Sequence, residues 1–126
     1  MATKSPESPC ILVVEDEYLL ADDLRRDLEA AGARVLGPVA SVPEALELIE
    51  EAGRVDAAIL DVNLAGRMVF PVAEVLSRRG VPFVFATGYE RWALPEAFAR
   101  VPRCDKPLDA DEVLRTLDLG GLVPAR

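Results

Sequence analysis

The chain has 126 residues, of which 51% are hydrophobic and 29% charged, so it is long enough to form one domain with a substantial core. Its 22 acidic and 14 basic residues give a formal net charge of −8 at pH 7, which argues against binding to nucleic acid or to an anionic membrane surface. The absence of histidine excludes a histidine-ligated zinc site, a Ser/His/Asp triad and a role as a histidine phosphodonor.

The two ends of the chain carry no pattern of a folded element. The opening MATKSPESP lacks the apolar stretch of a secretory signal, and no apolar run approaches the length of a transmembrane helix. We expect a disordered tail at 1–9, one domain at 10–119, and a C-terminal tail at 120–126 without an output domain. Cys10 and Cys104 lack CxxC spacing, which favours reduced thiols and a cytoplasmic protein.

Strand-like and helical patterns alternate along the chain. The apolar run CILVVE predicts a strand at 10–15, and the leucine stripe after it predicts a helix from Glu17 to Ala31. The next predicted elements are a strand with its turn at 33–40, a helix from Ser41 to about Ala52, a strand at 56–61, a helix at 68–80, a strand at 81–87, a loop at 88–94 followed by a short helix that begins at Pro95, a strand at 103–106, and a final helix capped by Asp109 and Glu112.

This alternation predicts an α/β fold, a three-layer sandwich whose parallel sheet is covered by helices on both faces. In such sheets ligands bind at the carboxyl ends of the strands. The predicted strand ends carry Glu15 and Asp16 after the first strand, Asp61 after the third, Thr87 after the fourth and Lys106 after the fifth. Any one of these residues has an ordinary structural explanation, but together they indicate a site.

The predicted site has the groups that phosphoryl transfer needs. Three clustered carboxylates require a cation, and an all-oxygen set of ligands suits Mg²⁺. Asp61 is the candidate nucleophile. Thr87 and Lys106 would meet the charge of the transferred group by hydrogen bonding and by ionic attraction.

Four segments between residues 11 and 107, ILVVEDE, ILDVNLAG, FATGY and DKP, resemble the receiver domain of bacterial two-component response regulators. FATGY is similar to the signature of the FAT GUY branch of single-domain receivers. The resemblance implies a flavodoxin-like five-stranded sheet of order 2-1-3-4-5. It also implies that a sensor histidine kinase, of the HWE class in this branch, phosphorylates the chain, which then signals through a downstream protein partner or a phosphotransferase.

The resemblance also assigns roles to residues. It implies that Asp61 is the phosphoacceptor, that Glu15 and Asp16 hold Mg²⁺ together with Asp61, and that the backbone carbonyl of Asn63 is a further ligand. Thr87 and Lys106 would contact the phosphoryl group, as the switch hydroxyl and the lysine of the family do. The resemblance therefore implies a protein that accepts a phosphoryl group and is not an enzyme that turns over a substrate.

One expected residue of the family is replaced. Receivers usually carry an aromatic switch residue three positions before the lysine, and this chain has Arg103 there. Tyr89 or Trp92 could substitute for it, although Tyr89 could equally only pack over the rim of the site. Asn63 and Tyr89 are also candidates for setting the lifetime of the phosphorylated state.

A second feature of the same region has two interpretations. Trp92, Leu94 and Phe98 could form an apolar surface for a partner, or they could close the core.

Two other functions remain open. A haloacid-dehalogenase-like phosphohydrolase also uses a nucleophilic Asp, a threonine and a lysine, but it needs a second Asp two residues after the nucleophile, where this chain has Asn63. A receiver-like module that binds its partners without phosphorylation is the other alternative. The presence of every residue of the expected set counts against it.

Overall fold

The computed structural model describes residues 8–88 and 94–119, and within them strands and helices alternate as the sequence predicts. The elements are β1 (Cys10–Val14), α1 (Tyr18–Ala30), β2 (Arg34–Val39), α2 (Val42–Ala52), β3 (Ala57–Asp61), β4 (Asn63–Leu64), β5 (Arg67–Met68), α3 (Phe70–Arg78), β6 (Phe83–Thr87), a 3₁₀ helix (Glu96–Phe98), β7 (Arg103–Asp105) and α4 (Ala110–Thr116).

Five parallel strands form the main sheet, in the order β2-β1-β3-β6-β7. Because β6 and β7 are the fourth and fifth strands of this sheet, its order is the expected 2-1-3-4-5. The predicted α/β fold is confirmed. Among the described residues, β4 and β5 form a separate antiparallel pair.

Alternate residues of each central strand pack into two cores, one on each face of the sheet. Leu12 and Val14 of β1 pack with α2 and α3, whereas Ile11 and Val13 pack with α1 and α4. These four strand residues are at most 1% exposed. Burial on both faces explains why β1 is a continuous apolar run, and the helices on either side complete the three layers.

An extra residue in β2 shapes the edge that bears the site. The register passes from Leu12 opposite Leu36 to Val14 opposite Val39, so β2 advances by one more residue than β1. Gly37 lies in this bulge with φ of +94°. Because of the bulge, the carbonyl of Val39 accepts the N–H of Glu15 at 2.9 Å. This hydrogen bond extends the pairing of the two strands beyond the end of β1.

The loop after β3 and the start of α3 differ from the sequence prediction. Met68 is the predicted start of the third helix, but it pairs with Asn63 in the β4–β5 hairpin, and α3 begins at Phe70. The hairpin turns at Ala65 and Gly66, which have φ values of +54° and +91°. Two-residue strands are too short to produce a recognisable alternation in sequence.

Two predicted caps also need correction. Pro95 precedes the 3₁₀ helix as its N-cap and is not its first residue, because its ψ of 150° is extended. Asp109 caps α4 by accepting the N–H of Asp111, and no capping hydrogen bond of the Glu112 side chain is found in the described part of the chain. By contrast, Ser41 caps α2 as predicted and accepts the N–H of Glu44.

Several predictions fall on residues that the structure does not describe. The tail at 120–126, most of the tail at 1–9, and the side chains of Tyr89 and Trp92 lie outside the described residues. Cys10 and Cys104 are described, and both are free thiols as predicted. Over 8–88 and 94–119, no helix combines the length and the apolar character needed to cross a membrane.

Candidate functional site

The predicted residues at the carboxyl edge of the sheet meet around one ammonium group. Glu15 follows β1, Asp61 ends β3, and Lys106 follows β7, so three strands that are distant in sequence deliver them to the same edge. Lys106 Nζ donates to Glu15 Oε1 at 2.9 Å and to Asp61 Oδ2 at 3.0 Å. The other oxygen of Glu15 accepts the backbone N–H of Glu17 at 2.9 Å, which orients the carboxylate.

Glu15, Asp16 and Asp61 form an acidic cluster. Each residue offers a carboxylate oxygen, and the three oxygens lie within 4.8 Å of one another. Glu15 is 7% exposed and Asp61 is 6% exposed, whereas Asp16 lies open to solvent. Buried carboxylates beside an exposed one, with oxygen as the only donor atom, fit a hard divalent cation such as Mg²⁺.

The surroundings of Asp61 favour its protonated form in the absence of a metal ion. Burial, and next the nearby charge of Glu15, raise the pKa of Asp61 to about 7, and the hydrogen bond from Lys106 opposes this only in part. Burial alone would lower the pKa of Lys106, but its hydrogen bonds to Glu15 and Asp61 raise it overall. Lys106 is therefore a fixed positive charge beside Asp61.

Asn63 lies beside Asp61, but its side chain is engaged in the hairpin. Its backbone N–H donates to Asp61 Oδ1 at 3.4 Å, and its side-chain oxygen accepts the N–H of Gly66 at 2.7 Å. The hairpin thus ties the side-chain oxygen of Asn63 to its own turn. The proposed role of Asn63 in the lifetime of the phosphorylated state stays a prediction.

The backbone of Thr87 is hydrogen-bonded to Lys106, whereas its side-chain hydroxyl is hydrogen-bonded to a residue outside the acidic cluster. The carbonyl of Thr87 accepts the N–H of Lys106 at 2.8 Å. Its Oγ1 donates to Oδ1 of Asp105 at 3.2 Å. Asp105 was not among the predicted site residues, although it directly precedes Lys106 on the predicted strand next to that of Thr87.

Arg103 occupies the position of the expected aromatic residue. It is exposed on β7 and is paired through the backbone with Phe85 of β6. No hydrogen bond or ion pair of its side chain is found among the described residues. A ring at this position is thus replaced by an exposed guanidinium group.

The segment before β7 closes the core. Phe98 is buried, and its ring packs against three others, those of Phe70, Phe83 and Phe85, with centroids 5.8, 6.2 and 6.0 Å away. Leu94 is half-buried against the same cluster. Of the two interpretations left open by the sequence, Phe98 and Leu94 therefore match the core, and Trp92 lies outside the described residues.

A cavity of about 490 Å³ adjoins the acidic cluster. It opens between α1 and the segment that follows β7, and Glu15 and Lys106 form part of its wall. The other lining residues are Leu20, Asp23, Leu24, Arg26, Asp27, Pro107 and Leu108. Of the acidic cluster, Glu15 is the member that lines this cavity.

No protein-family model matches the chain. Among curated proteins, it is 35% identical over 113 residues to the sensory transduction protein LytT of Bacillus cereus, a match that covers 85% of this chain. The same match covers 45% of LytT, so the chain spans less than half the length of that relative.

Solved structures match over most of the chain. SdrG from Sphingomonas melonis is 42% identical with a TM-score of 0.76, over 87% of this chain and 96% of SdrG. A BeF₃-activated conformation of SdrG is 43% identical with a TM-score of 0.71, over 87% of this chain and 93% of SdrG. The signal receiver domain of a modulated diguanylate cyclase from Desulfovibrio desulfuricans is 30% identical with a TM-score of 0.73, over 90% of this chain and 94% of that domain.

Proposed function

Because the chain belongs to the response regulator receiver domains, we propose that it accepts a phosphoryl group on Asp61 from a sensor histidine kinase. The observation that carries this proposal is the pairing of Asp61 with Lys106 at the carboxyl edge of the sheet. A buried carboxylate in this position is costly unless it has a partner or a function. Here its partners are the ammonium of Lys106 and the two neighbouring carboxylates with which it could share a cation.

The proposed reaction is the transfer of a phosphoryl group between two side chains. A carboxylate oxygen of Asp61 forms a bond to phosphorus as the bond between phosphorus and the kinase histidine nitrogen breaks. The electron pair of the broken bond stays with the imidazole. The ammonium of Lys106, within hydrogen-bonding distance of Asp61, is placed to neutralise charge on the phosphoryl oxygens.

Glu15, Asp16 and Asp61 are the side chains that would hold Mg²⁺, and the backbone carbonyl of Asn63 is a further candidate ligand. A bound Mg²⁺ supplies charge neutralisation to phosphoryl oxygens during transfer. Glu15 is held in place by Lys106 and by the N–H of Glu17, so the chain orients this ligand before any cation binds.

The first turn of α1 is a candidate contact for the kinase. Tyr18 is 80% exposed and Leu19 is 75% exposed, and they lie two and three residues after Asp16 in the chain. The exposed large hydrophobic side chains of the described residues are consecutive, and a contiguous apolar patch favours contact with a partner. We infer that a phosphodonor protein packs on Tyr18 and Leu19 while its phosphohistidine reaches Asp61.

The segment FATGY at 85–89 supports assignment to the FAT GUY branch, and with it a kinase of the HWE class. In this proposal the phosphorylated chain passes its signal through contacts with a downstream protein or a phosphotransferase. The haloacid-dehalogenase-like alternative lacks its second acid, because Asn63 stands at that position and binds Gly66.

Intact-protein mass spectrometry after incubation with Mg²⁺ and acetyl phosphate tests the proposal. We expect a labile gain of one phosphoryl group that is lost in Asp61→Asn and with EDTA. The matched variant Asp111→Asn, which changes an exposed carboxylate of α4, should gain the group as the wild type does.

Phosphorylation that persists in Asp61→Asn would contradict the proposed acceptor. A folded wild type that gains no phosphoryl group would favour binding without phosphorylation, and steady hydrolysis of unrelated phosphate esters would indicate an enzyme.

A further inference from the structure

Thr87 and Asp105 face each other across neighbouring strands. Thr87 ends β6 and is paired with Asp105 of β7 in the parallel ladder. Side chains of directly paired residues lie on the same face of a sheet. The hydroxyl of Thr87 therefore reaches the carboxylate of Asp105, and it donates a hydrogen bond of 3.2 Å to Oδ1.

A threonine hydroxyl has a single proton to donate. Thr87 can consequently donate to Asp105 or to a phosphoryl oxygen, but not to both at once. We propose that Asp105 is a positioning residue, which holds the hydroxyl of Thr87 before phosphorylation and releases it when the phosphoryl group on Asp61 supplies a competing ionised acceptor. This inference rests on the proposed function, because Thr87 meets a phosphoryl group only there.

The cost of releasing Thr87 lowers the affinity of the site for a phosphoryl group. Asp105 is exposed and Thr87 is half-buried, so their hydrogen bond is of the modest kind that solvent also competes for. Removing the acceptor should thus tighten binding of a phosphoryl mimic by roughly three- to ten-fold. Asp105 acts in this way through Thr87 and does not itself contact the reacting group.

The first experiment measures the dissociation constant for beryllofluoride in excess Mg²⁺ by calorimetry. We expect Asp105→Ala to bind roughly three- to ten-fold more tightly than the wild type. Asp105→Asn keeps an oxygen acceptor for Thr87, so it should stay within about two-fold of the wild type. If Asp105 acted only by its negative charge, Asn and Ala would have the same effect. Glu47→Ala, which removes an exposed charge from α2, should leave the constant unchanged.

The second experiment tests the contact without any phosphoryl mimic. Urea unfolding of the wild type, Asp105→Ala, Thr87→Val and the double variant gives a double-mutant cycle. We expect the two substitutions to be coupled by roughly three- to ten-fold in the unfolding constant.

The outcomes separate the two proposals. Additive substitutions, or an Asp105→Ala variant whose beryllofluoride affinity is unchanged or weaker, would overturn the role of Asp105 even if Asp61 is phosphorylated normally. A wild type that binds no beryllofluoride would overturn the proposed function, and the role of Asp105 with it, whatever the unfolding cycle shows.

Discussion

Lys106 donates a hydrogen bond of 3.0 Å to Oδ2 of Asp61. The same ammonium group lies 2.9 Å from Oε1 of Glu15, so it occupies the space between two carboxylates that are also candidate ligands of Mg²⁺. Lys106 therefore has two opposed effects on the site. It repels an incoming divalent cation, and it attracts the phosphoryl group that would follow.

Replacing Lys106 with methionine should separate these two effects. We expect Lys106→Met to bind Mg²⁺ roughly three- to ten-fold more tightly, because a competing positive charge is lost. Its affinity for beryllofluoride should fall by at least about ten-fold, because a charge-assisted hydrogen bond is lost. Calorimetric titration measures both constants. As a control, Arg115→Met removes an exposed cation from α4 and should change neither dissociation constant. Weaker Mg²⁺ binding by Lys106→Met would contradict the expectation.

The raised pKa of Asp61 predicts how the stability of the metal-free protein depends on pH. The pKa is raised from 3.8 to about 7, so the folded chain holds this proton more tightly than the unfolded chain does. The stabilising contribution is complete below pH 3.8 and is lost as the pH rises through about 7. Above that pH the ionised carboxylate lowers the free energy of unfolding.

Asp61→Asn removes this titration. We expect the variant to exceed the metal-free wild type in free energy of unfolding by about 1–2 kcal/mol above neutral pH, since solvent screening at the open edge of the sheet limits the gain. Urea unfolding in EDTA across the pH range measures the difference. Saturating Mg²⁺ should stabilise the wild type and reduce the difference in free energy of unfolding between it and Asp61→Asn. A variant less stable than the wild type at every pH would reject the expectation.

The chain order of the elements and the residues at the strand ends could be predicted from local sequence. The run at 10–15 is apolar throughout because β1 is buried on both faces, and Asp61 stands out because it interrupts a similar run. The order of strands in the sheet was predicted only through the resemblance to receivers. Local periodicity carries no information about which strands become neighbours.

Individual side-chain contacts that depend on strand register could not be predicted. The hydrogen bond from Thr87 to Asp105 depends on the register of β6 against β7, and a shift of one residue would turn one side chain to the other face. The β4–β5 hairpin was missed for a different reason. The residues after Asp61 indicate a turn, but the two-residue strands have no recognisable pattern, and Ala65 adopts φ of +54°, a conformation that alanine seldom takes.

Gly37 is expected to be needed for the shape of the edge that bears Glu15. A Cβ atom at Gly37 would lie 2.8 Å from the backbone N of Val39 and 2.9 Å from the carbonyl oxygen of Val13. Neither atom can move without disturbing the β1–β2 ladder, and Val39 also accepts the N–H of Glu15. The φ of +94° adds a further cost for any side chain at this position.

We expect Gly37→Ala to lower the free energy of unfolding by about 2–4 kcal/mol and to weaken Mg²⁺ binding. Gly66→Ala is the matched control. Gly66 has φ of +91°, but a Cβ atom there would meet nothing within 4 Å, so only the backbone cost of about 1–2 kcal/mol applies. Urea unfolding and Mg²⁺ titration of both variants test the contrast. Equal losses in the two variants would show that the close approach at Gly37 has no effect of its own.

The exposed side chain of Leu19 should matter for a protein phosphodonor and not for a small one. Leu19→Ser removes apolar surface beside the acidic cluster without touching Glu15, Asp61 or Lys106. We expect transfer from an autophosphorylated sensor kinase that phosphorylates the wild type to slow by roughly five- to thirty-fold, the effect of losing one well-packed apolar contact.

Phosphorylation of Leu19→Ser by acetyl phosphate should keep the wild-type rate, because acetyl phosphate needs only Asp61 and its neighbours. Ala97→Ser, on the exposed part of the 3₁₀ helix, serves as the control and should leave both rates unchanged. Rapid-quench measurement of the two reactions distinguishes docking from chemistry. An equal slowing with both donors would mean that Leu19→Ser disturbs the acidic cluster, and an unchanged rate with the kinase would place the kinase contact elsewhere than on Leu19.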